Sequence, residues 1–359
     1  MERAYNFNAG PSALPLDVLK KAQKELLNFE NTGMSVMELS HRSTEYESIH
    51  NRAQELLREL LNIPNQYDVM FLQGGASLQF TMIPMNFLKS GTASYVLTGS
   101  WSKKALKEAE KLGKTTVAAS SENTNFDRIP ALTAKDITAD ASYIHITSNN
   151  TIFGTQWQNF PETNVDLIAD MSSDILSRPI DVSRFALIYA GAQKNLGPSG
   201  VTVVIARKDF IEQASENVPT MLDYRTHSES NSLFNTPPSF AIYMLALVLE
   251  WVKDKGGVEQ MAQQNKEKAN ILYRVIDESN GFYKGHAHKE SRSFMNVTFT
   301  LPNEELTKQF LAESKEQGFV GLNGHRSVGG CRASIYNAVP LESVQKLCDF
   351  MLGFKRKNM

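Results

Sequence analysis

Lys194 is the residue whose surroundings most invite chemistry. It follows an apolar run of strand length at 185–190 and a break at Gly191, and it precedes a second break, Gly197-Pro198-Ser199-Gly200, and a second apolar run at 201–206. That spacing puts one long amine on a turn between two buried strands. Such an amine must pair, lose its proton or be used covalently, because desolvation disfavours the ammonium. A solvated turn is the competing reading for a lysine flanked by Gly, Asn and Pro. Upstream, Asp170 ends the run 165–170 and is followed by Met171-Ser172-Ser173. A carboxylate at the end of one buried strand and an amine delivered by a later one form the pair that pyridoxal phosphate requires. The lysine makes the Schiff base, and the carboxylate keeps the pyridine nitrogen protonated. A helix N-cap is an equally ordinary use of Asp after a strand, and spacing alone leaves both open.

A second group of residues could hold anions or rings. Gly74-Gly75-Ala76-Ser77 lies between a predicted strand and a predicted helix, where free amides and the helix dipole can hold a phosphate. Ordinary strand-to-helix turns use glycine too. Trp101 heads a helix after Thr98-Gly99-Ser100, as core or as a face offered to a cofactor ring. His41-Arg42, His325-Arg326 and Arg332 supply cations, and arginine forks match carboxylate and phosphate oxygens; solvated loops and an edge ion pair are the competing readings. Three features are set aside. Gly113-Lys114-Thr115 has the ending of a P-loop, but the glycine that should open that motif is Glu108. His286-Ala287-His288 has no acidic or cysteine partner at a ligating spacing, so no metal is expected. Cys331 reads as a buried small hydrophobe.

The elements that must position these residues follow from periodicity. Runs near 67–72, 93–98, 115–119, 142–147, 165–170, 185–190 and 201–206 read as strands, with helical patterns at about 76–88 and 101–112. That alternation predicts an α/β domain with a mostly parallel, helix-covered sheet, whose ligands would sit beyond the carboxyl ends of its strands. Residues 1–15 read as an extended arm, 16–29 as a helix with Leu16, Leu19, Ala22, Leu26 and Leu27 on one face, and 44–61 as another helix. Helices to about 255 and 277 are separated by Gly256-Gly257. Strands at 293–300 and 332–336 then alternate with helices at 303–317 and 341–354. The expected organisation is an arm at 1–15, a large domain at 16–256 and a smaller α+β domain at 257–359.

Composition narrows the partners. The chain has 359 residues and a net charge of -2, so no broad field draws it to nucleic acid or to an anionic membrane, and any anion must be recognised locally. Two cysteines are too few for a disulfide framework, and the N-terminus lacks a basic segment leading into an apolar one. A cytoplasmic setting is expected. The longest apolar run, 240–249, is too short to span a membrane and reads as a buried helix.

The stretches Asn6-Phe-Asn-Ala-Gly-Pro-Ser-Ala-Leu-Pro15, Glu38-Leu-Ser-His-Arg-Ser43, Thr98-Gly-Ser-Trp-Ser102, Asp170-Met-Ser-Ser173, Gly191-Ala-Gln-Lys-Asn195, Asn235-Thr-Pro-Pro-Ser239, Gly324-His-Arg326 and Gly330-Cys-Arg-Ala-Ser-Ile-Tyr-Asn-Ala338 occur in order along the whole chain. Together the chain resembles the phosphoserine aminotransferase family. The resemblance implies an aspartate-aminotransferase-like fold, pyridoxal 5'-phosphate as cofactor, and a homodimer with shared active sites. It also implies reversible amino transfer between L-glutamate and 3-phosphohydroxypyruvate, giving O-phospho-L-serine and 2-oxoglutarate, with phosphorylated hydroxythreonine of pyridoxine synthesis as a further substrate. Residue by residue, it makes Lys194 and Asp170 the catalytic pair and stacks Trp101 on the cofactor ring. Thr151 would lie near the ring hydroxyl, and Ala76, Ser77 and Gln193 at the cofactor phosphate. Asn235 and Thr236 would reach the phosphate in the neighbouring subunit. Arg332 would hold the substrate α-carboxylate, and His41, Arg42, His325 and Arg326 the substrate phosphate. Many members carry arginine where this chain has Ser77, a departure from the family pattern. An alanine-glyoxylate-type transaminase or a cysteine desulfurase is the alternative within the fold, and a phosphate-binding NTPase built on Gly74-Gly75 the remote one.

Overall fold

The computed structural model describes residues 3–89 and 91–359. The alternating apolar runs form one seven-stranded sheet from β1 (Tyr67–Leu72), β2 (Thr92–Leu97), β3 (Lys114–Ser120), β4 (Ala141–Thr147), β5 (Leu167–Asp170), β6 (Leu187–Gly191) and β7 (Thr202–Arg207), in the spatial order β1-β7-β6-β5-β4-β2-β3. β7 runs antiparallel to both neighbours, while the strands from β6 to β3 are parallel. The inner strands are buried on both faces, which is why they read as continuous apolar runs. β3 closes an edge and is only partly covered.

Helices cover the sheet on both sides. On one face α3 (Gly75–Phe87) and α4 (Ser100–Glu110) pack Phe80, Ile83 and Leu106 against Tyr95, Tyr143 and Tyr189 of the strands. On the other lie α1 (Leu16–Glu25), α2 (Thr44–Leu61) and α5 (Ser239–Asp254). α2 shows why this sequence is helical. Ser43 Oγ accepts the Tyr46 N–H, Ile49, Ala53, Leu56, Leu57 and Leu60 form one buried face, and Asn62 ends the helix in the left-handed region. Among the described residues no helix is long and apolar enough to cross a membrane.

α6 (Gly257–Asp277) joins two cores. Val258 and Met261 belong to the large one, whereas Leu272 and Ile276 belong to a second core around Phe299, Phe310, Val344 and Leu347. That second core is enclosed by the antiparallel strands β8 (Lys284–Gly285), β9 (Asn296–Thr300) and β10 (Cys331–Ser334) with α7 (Glu304–Glu316) and α8 (Leu341–Asn358). The N-terminal arm is extended but not free. Tyr5 and Asn6 pair in parallel with Phe319 and Val320, and Phe7 is fully buried in the second core.

Two elements differ from the sequence-based expectation. α1 stops at Glu25 instead of reaching residue 29, because Glu30 and Asn31 take positive φ (45° and 63°) and Asn28 Oδ1 accepts the Gly33 N–H at 2.8 Å, turning the chain. Its buried face is Val18 and Ala22, so Leu16 and Leu27 stay 45% and 85% exposed. The strand expected from 293 begins at Asn296, because Ser293 Oγ takes the N–H groups of Met295 and Asn296, both at 2.9 Å, and holds them out of the ladder.

α6 also carries a buried cation that no sequence pattern marked. Lys268 Nζ donates to the carbonyls of Ile335, Tyr336 and Val339 at 2.9, 2.7 and 3.1 Å, tying down the connection between β10 and α8. The three acceptors match the three N–H bonds of an ammonium, while burial pulls the pKa down to about 7. In the unfolded chain a lysine titrates at about 10.4, so from roughly pH 7 to 10 the unfolded state binds more protons and stability must rise with pH. The expected outcome is that the stability of the wild type relative to Lys268→Met increases between pH 7 and pH 9 by on the order of 1 kcal/mol per unit, read from denaturant midpoints. A pH-independent difference would remove this amine from the titration.

Candidate active site

The carboxyl ends of the parallel strands open on a cleft of about 450 Å³, closed from the other side by β10 and the loop before it. Ala76, Ser77, Trp101, Thr151, Asp170, Gln193, Lys194, His325, Arg326 and Arg332 all line it. A groove of about 510 Å³ between Tyr5, α7 and α8 is larger, but its lysines are exposed and already paired with Glu342 and Glu313. The chemistry therefore belongs to the smaller cleft.

Asp170 ends β5 with 5% exposure, and its Oδ1 accepts the Ser172 N–H at 2.9 Å. Among the described residues its Oδ2 has no donor. Burial raises the pKa of this carboxyl, opposed by the Ser172 hydrogen bonds and by Lys194. Lys194 follows β6 on the expected turn, half-buried, and Nζ donates to Thr151 Oγ1 at 2.7 Å. Loss of hydration lowers its pKa to about 8, with Asp170 pulling the other way and Arg332 reinforcing the fall. The stem is fixed as well. Ser12 Oγ donates to the Lys194 carbonyl at 2.6 Å, the Ser12 N–H donates to the Gln193 carbonyl at 2.9 Å, and a Cβ on Gly10 would stand 3.4 Å from Lys194 Cγ at a φ of +145°. The positive φ favours glycine at this position, while the distance itself is ordinary contact.

Around this pair stand groups suited to a flat, anionic guest. The first amides of α3, at Gly75, Ala76 and Ser77, follow Gly74 at φ 87° with no side chain capping them, which leaves an anion site at a helix N-terminus. Trp101 packs at the head of α4 with its Nε1 buried and, among the described residues, unpartnered, and Lys104 Nζ and Lys194 Nζ lie 4.3 and 5.9 Å from its ring centroid. Thr147 Oγ1, next to Asp170 across the β4–β5 ladder, is likewise buried without a partner among the described residues. Arg332 donates from Nη1 to the Thr151 carbonyl at 3.2 Å, its Nε has no partner among the described residues, and its pKa is lowered by burial. His325 is pushed below the ordinary histidine range by burial and by Arg332, Arg326 and Lys104.

Four of the residues named from the sequence are not brought to this cleft within one chain. His41 and Arg42 lie on the loop before α2, with Arg42 exposed. Asn235 lines a separate cavity of about 170 Å³ with Phe71 and Pro238, and the Thr236 carbonyl accepts from Gln73 Nε2 at 3.2 Å. Sequence reasoning missed Lys104, although its helical spacing from Trp101 was a usable signal. It also missed Gly10 and Ser12 as supports of Lys194, for which nothing local pointed.

A class-V aminotransferase family model matches residues 4–347. The chain is 70% identical over 358 residues to a phosphoserine aminotransferase of Geobacillus kaustophilus (strain HTA426), covering 99% of each. Its fold superposes on the solved phosphoserine aminotransferase from Bacillus circulans subsp. alkalophilus with a TM-score of 0.98 at 57% identity, covering 100% of both chains. It also superposes on a pyridoxal-phosphate-bound phosphoserine aminotransferase from Trichomonas vaginalis with a TM-score of 0.93 at 40% identity, covering 98% of this chain and 100% of that one.

The lowered pKa of Lys194 has a direct readout. Competitive acylation of the cofactor-free protein followed by mass spectrometry should show Lys194 gaining reactivity with a midpoint near pH 8, whereas exposed lysines follow about 10.4. A midpoint for Lys194 above pH 10 would contradict the desolvated amine.

Proposed function

The chain belongs to the class-V aminotransferase family, among the phosphoserine aminotransferases, and on that premise we propose how its cleft uses pyridoxal phosphate to pass an amino group between L-glutamate and 3-phosphohydroxypyruvate. The observation that carries the reading is the convergence of Lys194, Asp170, Trp101 and Arg332 on one cleft with an open helix N-terminus at its end. These residues fit the cofactor. The Asp170 oxygen without a donor and the uncapped α3 amides are complementary to a pyridine N–H and a phosphate. Bound pyridoxal phosphate supplies a carbonyl carbon that takes up amino groups and a ring that draws electrons from the substrate α-carbon.

The chain's own groups do the rest. Lys194 Nζ would hold the cofactor and, when free, would carry the proton to and from the substrate α-carbon, a task suited to an amine whose pKa is lowered to about 8. Asp170 would accept the pyridine N–H. Trp101 would offer its face to the ring, Thr151 would serve the ring hydroxyl, and Ser77, Ala76 and Gln193 the phosphate; with serine in place of the arginine of many relatives, the helix amides would take a larger share. Arg332 binds the substrate α-carboxylate, and His325 with Arg326 binds its phosphate.

His41, Arg42, Asn235 and Thr236 complete the site from a second copy of the chain. Their segments carry the kind of surface an interface would cover: Met34, Met37 and Phe234 are 42%, 55% and 53% exposed, beside the outward-facing Leu27. The same clamp would take phosphorylated hydroxythreonine. Both cysteines are free and buried, which supports the reading of a cytoplasmic enzyme. The desulfurase reading fails chemically, since Cys331 is fully buried and its thiol is pushed up to about 12, whereas that reaction needs an accessible thiolate.

Glutamate-dependent transamination should favour the phosphorylated keto acid over free hydroxypyruvate in kcat/KM by roughly a hundredfold or more, the worth of two charged hydrogen bonds. Equal rates would remove the phosphate clamp. Mixing Lys194→Ala protein with an Asn235→Ala/Thr236→Ala protein should restore about a quarter of wild-type activity, because half the random dimers are hybrids with one intact site. No recovery despite demonstrated subunit exchange would mean that each site is built from one chain.

A further inference from the structure

Behind the cleft lies a second buried carboxyl that transamination leaves unused. Asp174 follows Asp170 by one turn of chain, is 5% exposed, and has a partner on each oxygen: Gln156 Nε2 donates to Oδ2 at 3.0 Å, and Oδ1 contacts Ser148 Oγ. The Gln156 amide is fixed in that sense because its Oε1 accepts the Phe294 N–H at 3.0 Å. Ser148 Oγ in turn lies 2.9 Å from the carbonyl oxygen of Asp170.

Counting protons shows what this arrangement requires. Ser148 has one hydroxyl proton, yet it stands against two oxygens that can only accept if Asp174 is ionised. Sharing one proton between them bends both bonds, and withholding it from either sets two lone pairs face to face. With a proton on Asp174 Oδ1, each contact has one donor: Asp174 O–H to Ser148 Oγ, Ser148 O–H to the Asp170 carbonyl, and Gln156 N–H to Asp174 Oδ2. The surrounding charges are Arg178 and Lys194, which favour ionisation, against burial, which raises the pKa of Asp174, and the adjacent Asp170. Arg178 spends its guanidinium on the carbonyls of Trp157 and Gln158. Two carboxylates this deeply buried and this close do not both ionise readily.

We propose that Asp174 is held as the neutral acid and acts as a positioning residue, whose hydrogen bond through Ser148 to the Asp170 carbonyl fixes the one working carboxylate of the cleft. The same bond anchors the segment after β4 that carries Thr151, the partner of Lys194 Nζ. The inference rests on Asp170 as the working carboxylate, but the protonation of Asp174 can be read without turnover.

Infrared spectra of the full chain, carbon-13 labelled at aspartate carboxyls, should show a protonated-carboxyl band between about pH 6 and pH 8, where an ordinary Asp is ionised. That band should vanish in Asp174→Asn and persist in Asp170→Asn. Its absence from the wild type, or its loss in Asp170→Asn, would overturn the proposal. Asparagine copies the neutral acid, with Nδ2 donating to Ser148 and Oδ1 accepting from Gln156. Asp174→Asn should therefore turn over at least roughly tenfold faster than Asp174→Ala, which leaves both partners unpaired; equal losses would overturn the donor role. If Asp174→Asn does not fold, the wild-type band and its survival in Asp170→Asn decide alone. A chain that shows the band but no transamination would sink the proposed function and leave this assignment standing.

Discussion

Burial strips the Lys194 ammonium of its hydration, and the cleft replaces only part of it. Thr151 Oγ1 takes one N–H at 2.7 Å, Asp170 attracts the charge and Arg332 repels it, so the amine titrates near 8. An amine in that state can be nucleophilic at neutral pH without a separate base. It is useful only if the rest of the site holds still around it, because a flexible four-carbon stem would otherwise carry Nζ back toward water. The N-terminal arm meets that need. Gly10 lies beside the stem, Ser12 donates to the carbonyl of Lys194, and the arm itself is anchored by pairing of Tyr5 and Asn6 with the C-terminal unit.

The same turn locks the two cores together. Asn195 donates to the Ile175 carbonyl at 3.0 Å and accepts the Asn337 N–H at 3.0 Å, while Asn337 Nδ2 reaches the Leu176 carbonyl at 2.9 Å. A second set runs from Asn149 through Asn296 to Ser334 and Tyr336, whose hydroxyl donates to the Ala9 carbonyl at 2.8 Å. Buried amides are expensive when unpaired, so a network this well satisfied favours one relative placement of the units. Arg332, on β10 beside Ser334, thereby keeps a fixed distance from Lys194. In the proposed site, substrate carboxylate and reacting amine would thus be aligned by packing made far from either.

Periodicity made the large sheet legible because its inner strands are buried on both faces and its turns are marked by Gly and Pro; every strand from β1 to β7, the half-covered edge β3 included, lies where an apolar run stood. It failed where a single side chain overrules the ladder, as Ser293 does at the start of β9, and where a helix turns its apolar residues outward, as α1 does with Leu16 and Leu27. Of the site, the pair Asp170 and Lys194 could be proposed from strand ends alone. Lys268 and Asp174 could not. Their meaning lies in acceptors and donors distant along the chain, such as the Val339 carbonyl and Ser148, which no local pattern announces.

Charge decides how one pocket can serve two guests. Phosphoserine brings a phosphate of about -1.5 to -2 at neutral pH, glutamate a single side-chain carboxylate, and a ping-pong reaction seats them in the same place in turn. On the proposed assignment, permanent charge from Arg326 and Arg332 would serve both. His325 stands among three cations, Arg332, Arg326 and Lys104, and burial together with them disfavours its protonated form while the pocket lacks an anion. A dianion arriving beside it reverses the sign of that field and favours protonation, whereas a monoanion largely spent on the arginines does so less. On the proposed assignment, adding the proton only for the more highly charged guest would let the pocket match each substrate without carrying a surplus of positive charge when the phosphate is absent.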